Sequence, residues 1–209
     1  MEMIILSNCK KEEKIELITD ADGNIYGTVI IGDQEWMAEN LKTTKFNDGK
    51  PIPLIPTYWE WEIESGPARC WFNNDQPANK ELYGSLYNHY TVETNKLCPI
   101  GWRVPTEEDI NKLKEFLDDS DFGGTLKESG ITHWNSPNTN ATNTTGFTAL
   151  PGGRRMIFVD EPGYADMGYE GYWWLSEIIH MRLSYDSKKL VIGGSDRRYG
   201  LSVRCMRDR

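Results

Sequence analysis

Long apolar runs are missing from this chain. The apolar stretch at the amino end, Met3-Ile4-Ile5-Leu6, is far too short to cross a bilayer. Cysteine is sparse. There are four in 209 residues, at 9, 70, 98 and 205, and no two form a CxxC or other metal-ligand spacing, which excludes both a zinc knuckle and a disulfide-rich mini-protein. Histidine is sparser still: His89, His133 and His180 stand far apart, so the expected number of bound metals is none. Positive charge is short as well. With 23 basic against 32 acidic residues the net charge is -9, and the Arg154-Arg155 and Arg197-Arg198 pairs are isolated. Nucleic acid and anionic lipid headgroups both need a basic stripe that is not there. Finally, no Gly-x-Ser-x-Gly phrase exists, and no histidine is placed to serve a Ser or Cys nucleophile.

What the chain has instead is glycine, proline and rings. With 19 Gly, 10 Pro and 11% aromatic residues, short elements are punctuated by turns while Trp and Tyr fill the space between them. The length supports one ample core, so one domain with a short leader is the expectation.

The leader is Met3 to Cys9 followed by Lys10-Lys11-Glu12-Glu13-Lys14. An apolar stub, small polar residues, a cysteine and then a charge block resemble the tail of a lipoprotein signal peptide, with Cys9 as the lipidated residue. The charged run is similar to the signal that sends some lipoproteins of the Bacteroidota to the cell surface. Its plain alternative is a solvated leader with an incidental cysteine. Residues 1–21 are read as signal remnant and tether, and residues 22–208 as the domain.

Within the domain, Asp22-Gly23-Asn24 signals a turn and Ile25 to Ile31, β-branched and aromatic, a strand. Gly32-Asp33-Gln34-Glu35 then supplies a hairpin turn before Trp36-Met37. Prolines at 51, 53 and 56 make the stretch from Thr43 to Pro67 a loop with Tyr58-Trp59-Glu60-Trp61 at its tip. Tyr83 to Tyr90 reads as a buried short helix or strand. Thr106 has N-cap chemistry, Glu107, Glu108 and Asp109 suit a first turn, and Ile110, Leu113, Phe116 and Leu117 recur at helical spacing. Asn138, Asn140 and Asn143 with their threonine neighbours supply local hydrogen bonds for a long polar loop. The last third alternates short apolar runs with Gly/Asp turns, an antiparallel sheet.

Three phrases carry a resemblance: Gly32-Asp33-Gln34-Glu35-Trp36-Met37-Ala38-Glu39-Asn40-Leu41, Leu97-Cys98-Pro99-Ile100-Gly101-Trp102-Arg103-Val104-Pro105-Thr106-Glu107, and Gly200-Leu201-Ser202-Val203-Arg204-Cys205. They are similar to the Fibrobacter succinogenes major paralogous domain (FISUMP), whose fold is similar to C-type lectins and to the formylglycine-generating enzyme domain. The resemblance covers about residues 22 to 208. It implies an α+β, C-type-lectin-like fold with short antiparallel strands, one clear helix near 106–118 and long ordered loops. It also implies that Cys98 and Cys205, each inside one of the phrases, form a disulfide tying the chain's end to its centre. Cys70 is then a small buried thiol.

No activity follows from the resemblance, because a fold shared with oxidases does not carry their cysteine pair. Glu161-Pro162-Gly163 and Asp75-Gln76-Pro77 are only near misses of the calcium-and-sugar motif of C-type lectins, and Trp-Asn-Asp is missing. Carboxylates such as Glu60, Glu62 and Asp166 are available for hydrolysis, as in any acidic protein. The chain therefore reads as a non-enzyme without cofactor, an outer-membrane lipoprotein facing outward that binds a glycan or protein ligand through aromatic loops. The candidate contact residues are Tyr58, Trp59 and Trp61, with Arg154, Arg155, Tyr164 and Tyr169 in the later Gly-rich segment. Rings on loops stack on sugars or anchor partners, though the same rings serve equally well as packing. A self-assembling adhesive subunit is the competing class, and an orphan hydrolase the weaker one.

Overall fold

The structure, a computed structural model, describes residues 18–117 and 122–209. Cys9 and the charged run behind it lie outside the described residues. The described chain is α+β, with twelve strands and five α-helices. In order these are β1 (Ile18–Thr19), β2 (Ile25–Tyr26), β3 (Thr28–Ile31), β4 (Gln34–Met37), α1 (Tyr58–Ile63), β5 (Arg69–Cys70), α2 (Gln76–Tyr83), β6 (Leu86–Tyr87), α3 (His89–Val92), α4 (Glu107–Leu117), α5 (Gly123–Leu126), β7 (Gly152–Arg155), β8 (Tyr164–Met167), β9 (Glu170–Trp174), β10 (Ile179–Ser184), β11 (Leu190–Gly194) and β12 (Met206–Asp208).

Strand β1 pairs antiparallel with β2 across the Asp22-Gly23-Asn24 turn. Asp20 closes that turn, its carboxylate accepting from the backbone N–H of Asp22 and Asn24 and from the Tyr26 hydroxyl at 2.6 Å. Ile18 is buried in a core cluster, so the packed unit begins inside the stretch expected to be tether. The β3–β4 hairpin turns at Gly32-Asp33, as the sequence predicts, and Gly32 takes φ +62° there. Strand β12 joins the other side of β4, giving the order β12-β4-β3, so the carboxyl end is stitched to the amino-terminal part of the domain. The larger sheet runs β11-β10-β9-β7-β8 and is antiparallel except where β7 meets β9.

The expected disulfide is present. Cys98 and Cys205 are bonded across 107 residues of sequence with Cα atoms 6.0 Å apart, and Cys70 is a free buried thiol. Burial raises the pKa of the Cys70 thiol above its usual range, so it behaves as a small apolar side chain.

Helix α4 matches the predicted span. Thr106 accepts the Asp109 N–H at 3.1 Å, and Asp109 answers by accepting the Thr106 N–H at 2.7 Å, a reciprocal capping box closed by aspartate. Burial alone would raise the Asp109 carboxyl, yet the Arg103 guanidinium (2.5 and 2.9 Å) and Thr106 hold it below the usual carboxylate range. Ile110 and Leu113 face the core, but Phe116 is 60% exposed and lies over Gly32, so the apolar stripe is narrower than the spacing implies.

Three helices were not expected, the single-turn α5 among them. Residues 58–63, read as a loop tip, form α1; Pro56 lies just ahead of the N-cap Thr57, where proline costs no helical hydrogen bond. Residues 76–83 form α2, capped by Asp75 accepting from Ala78, with Pro77 in its first turn. Between Tyr83 and Tyr90 both expected alternatives occur in succession, the end of α2, strand β6 and the start of α3. The polar stretch around 138–145 has no regular structure and is held locally, with Asn138 donating to the carbonyls of Glu128 and Gly130.

Candidate functional site

Two of the three phrases that carry the resemblance meet in one buried node. Arg204 is wholly buried with its guanidinium 4.1 Å from the centre of the Phe147 ring; it donates to the Phe147 carbonyl and to Asn40 Oδ1 at 3.0 Å. Asn40 Oδ1 also accepts from Trp173 Nε1 at 2.8 Å, and the Asn40 amide donates to the Tyr83 carbonyl. Among the described residues no carboxylate pairs with Arg204, and burial lowers its pKa to about 9, so ring face and carbonyl dipoles replace water around the charge. Gly84 packs against the same segment at φ +74°, where a Cβ would meet the Leu41 carbonyl oxygen at 2.6 Å. Asn40 and Arg204 are thus parts of a buried, hydrogen-bonded scaffold.

A second buried node gathers four of the seven candidate contact residues. Arg155 on β7 is fully buried between the rings of Trp61 (4.6 Å) and Tyr164 (5.1 Å) and donates to the carbonyls of Ile55 at 2.7 Å and Pro56 at 2.9 Å. Trp61 donates to the Arg198 carbonyl at 2.6 Å; the Tyr58 hydroxyl donates to the Val159 carbonyl at 2.7 Å; Tyr164 donates to Asn74 at 2.9 Å. Burial, foremost, pushes the Tyr164 hydroxyl well above its ordinary value. Tyr58, Trp61, Arg155 and Tyr164 are therefore an internal clamp that seats α1 and the proline-rich segment on the sheet.

The other three candidates lie apart. Arg154 is ion-paired with Asp166 at 2.8 Å under the Tyr172 ring, and Tyr169 packs edge-on against Tyr185. Trp59 alone of the α1 rings is open to solvent, 62% exposed. Helical geometry explains the split: Trp61 follows Trp59 by two positions and points to the opposite face, whereas Ile63, four on, shares its side. Ile63 is 78% exposed.

The sequence reading missed what stands beside Trp59. The Phe158-Val159 turn is pinned to α1, since Glu62 accepts the Phe158 N–H at 3.0 Å and the Tyr58 hydroxyl accepts the Val159 N–H at 3.1 Å. Phe158 is held at φ +57° and is 72% exposed. A bulky side chain in the left-handed region costs about 1–2 kcal/mol, and here the ring recovers little of that by burial; the Arg198 guanidinium at 4.9 Å from its centre is its main support. Trp59, Ile63, Phe158 and Val159 are thus exposed apolar residues on two segments that these bonds hold together. No periodicity marks the arrangement, because its halves are separated by about a hundred residues of sequence; only the combination of a ring with an Asp-Glu-Pro-Gly turn behind it hinted at presentation.

Beside these residues lies a groove of about 420 Å³ lined by Ile63, Glu64, Tyr90, Ser195, Asp196 and Arg198, among others. Arg198 is held there by both Asp196 oxygens at 2.9 Å, and Arg197 by Glu93 at 2.8 Å. The histidines serve the scaffold. His89 Nε2 contacts the Ser176 and Glu177 carbonyls, and His180 Nδ1 contacts Ser195 at 2.7 Å; burial lowers both, His180 to about 4. Of the carboxylates considered for hydrolysis, Glu62 and Asp166 are engaged as described, and Glu60 has no partner among the described residues.

The model of the Fibrobacter succinogenes major domain matches residues 29–207. The chain belongs to that family. The matched span contains the Asn40–Arg204 node, the disulfide and the exposed Trp59, Ile63, Phe158 and Val159, so these are features of a Fibrobacter succinogenes major domain and not of an appended segment. No curated protein and no solved structure matches the chain. Among the described residues, no helix of this domain is long and apolar enough to cross a membrane.

Proposed function

We propose that this domain is a non-enzymatic recognition module of the cell envelope, presented by a lipid anchor at Cys9 and contacting a glycan or protein ligand through the face formed by Trp59, Ile63, Phe158 and Val159. One observation carries the reading: an aromatic residue is held in a costly backbone conformation and left 72% exposed, on a turn that Glu62 and the buried Tyr58 pin to the helix bearing a second exposed ring. Selection for stability alone would bury Phe158 or replace it with glycine. Of the residues expected to bind, Trp59 keeps that role, and Phe158 takes the place assigned to Arg155 and Tyr164.

The Cys98–Cys205 bond supports export, because such bonds persist in oxidising compartments. A C-type-lectin-like fold is the finer form of the α+β architecture; the pairing of β12 with β4 and the long ordered loops favour it. The adhesive-subunit reading has one observation in its favour, the exposure of Ile30 on the edge strand β3.

The test is a glycan array and a panel of candidate surface proteins probed with wild type and with Trp59→Ala/Phe158→Ala, with and without chelator. A ligand retained equally by the folded variant would overturn the site, and oligomerisation abolished by Ile30→Lys would favour the adhesive subunit. Metabolic labelling with an alkyne fatty acid tests the anchor: label should be lost in Cys9→Ser.

A further inference from the structure

The charge around the exposed face narrows what fits it. Glu60 stands between Trp59 and Ile63 in α1, and Asp160 and Glu161 follow Val159 directly; all three are exposed. None of them takes part in an ion pair among the described residues. The nearby cations are already neutralised, Arg198 by Asp196 and Arg197 by Glu93. The apolar face is thus rimmed by uncompensated negative charge, in a chain of net charge -9. Four cations that would offset it elsewhere, Arg69, Lys127, Arg155 and Arg204, are buried.

This rim discriminates among occupants. A second copy docking face to face would set acid against acid, and an anionic lipid surface or nucleic acid would be repelled in the same way. A neutral sugar could stack on Trp59 or Phe158, but the exposed aliphatic chains of Ile63 and Val159 offer it neither a stacking plane nor a hydrogen bond. A polypeptide with apolar side chains flanked by Lys or Arg satisfies both parts, placing apolar surface on the rings and cations on Glu60, Asp160 and Glu161.

We infer that the partner of this face is a basic, apolar polypeptide segment. The inference rests on the recognition reading above and specifies its ligand class. The test uses the full chain and three synthetic peptides of equal length and equal Leu/Trp content, in which Lys, a Lys/Glu mixture or Glu occupies the polar positions. Binding is followed by fluorescence anisotropy at low and high salt.

The expected order is Lys above mixed above Glu, with affinity for the Lys peptide falling about tenfold or more between low and physiological salt. Phe158→Ala should abolish binding. Glu60→Lys/Asp160→Lys/Glu161→Lys should invert the preference. Glu107→Lys/Glu115→Lys on α4, which packs on a different core cluster, changes charge elsewhere and should leave the order intact. Equal response to the two sets of charge reversals would show unspecific attraction to an acidic protein and overturn the inference, as would failure of the Lys peptide to bind at about 1 mM. If the peptides fail while a glycan binds and is lost in Trp59→Ala, the recognition reading stands and the polypeptide inference falls; if neither class binds, both fall.

Discussion

At the scale of single residues, the two tryptophans of α1 show how one helical turn separates packing from presentation. Trp61 is fully buried against Arg155, and its indole N–H is used; Trp61→Ala should cost about 3–5 kcal/mol in chemical denaturation. Trp59→Ala, two positions away, should stay within about 0.5 kcal/mol. Phe158→Gly removes the left-handed strain together with the ring, so the variant should be as stable as wild type or more so, by up to about 1 kcal/mol. A loss of more than that would mean the ring contributes to the core and would remove the argument that it is held outward for a partner. His180 sets a pH dependence with a definite sign. Its folded pKa, about 4 against an ordinary 6.5 because of burial and then the neighbouring Arg154 and Arg182, means that the unfolded chain binds the proton first. The stability is present in full above pH 6.5 and is lost as pH falls toward 4, by up to about 3 kcal/mol. His180→Gln should flatten a plot of melting temperature against pH over that window, and an unchanged slope would show that the imidazole charges without penalty.

At the scale of elements, α4 was legible because its signals are local: an N-cap, acids in the first turn and an apolar stripe all act between Thr106 and Leu117. Asp109 shows where locality ends. Its position announces a first-turn acid, but its burial and its bidentate grip on Arg103 depend on how β12 and the preceding loop come together. Thr106→Ala should cost about 1 kcal/mol, the usual loss for an N-cap hydroxyl. Asp109→Ala should cost more, since it also strips the Thr106 N–H of its partner and leaves Arg103 only the longer contact to Asp208 at 3.3 Å; a cost equal to that of Thr106→Ala would reduce Asp109 to a simple cap. Helices α1 and α2 were not legible, for opposite reasons. The prolines before α1 dominate its composition, although a proline ahead of the N-cap permits a helix. In α2 the run Gln-Pro-Ala-Asn-Lys-Glu-Leu-Tyr carries little apolar periodicity, and the helix is held by Asp75 and by Asn79 donating to the Phe72 carbonyl.

At the scale of the whole molecule, the Cys98–Cys205 bond and the β12–β4 pairing close the chain on itself. In the chain-entropy account, a loop of this size stabilises the fold by about 4 kcal/mol, so Cys98→Ser should lower the melting temperature in oxidising buffer and match wild type under reductant. Equal melting temperatures in both buffers would show that β12 docks without help from the covalent tie.

The amino-acid sequence by itself determined the family, the disulfide partners, helix α4 and the β3–β4 turn, because each rests on neighbours in the chain or on phrases read whole. The tertiary structure alone decided which rings face solvent. Tyr58, Trp59, Trp61, Arg155, Tyr164 and Phe158 are equivalent as composition, and what divides them into clamp and contact face is the docking of residues 157–162 onto α1 across a hundred positions. Side-chain burial is a property of the packed neighbourhood, and no pattern within either segment encodes the other's arrival.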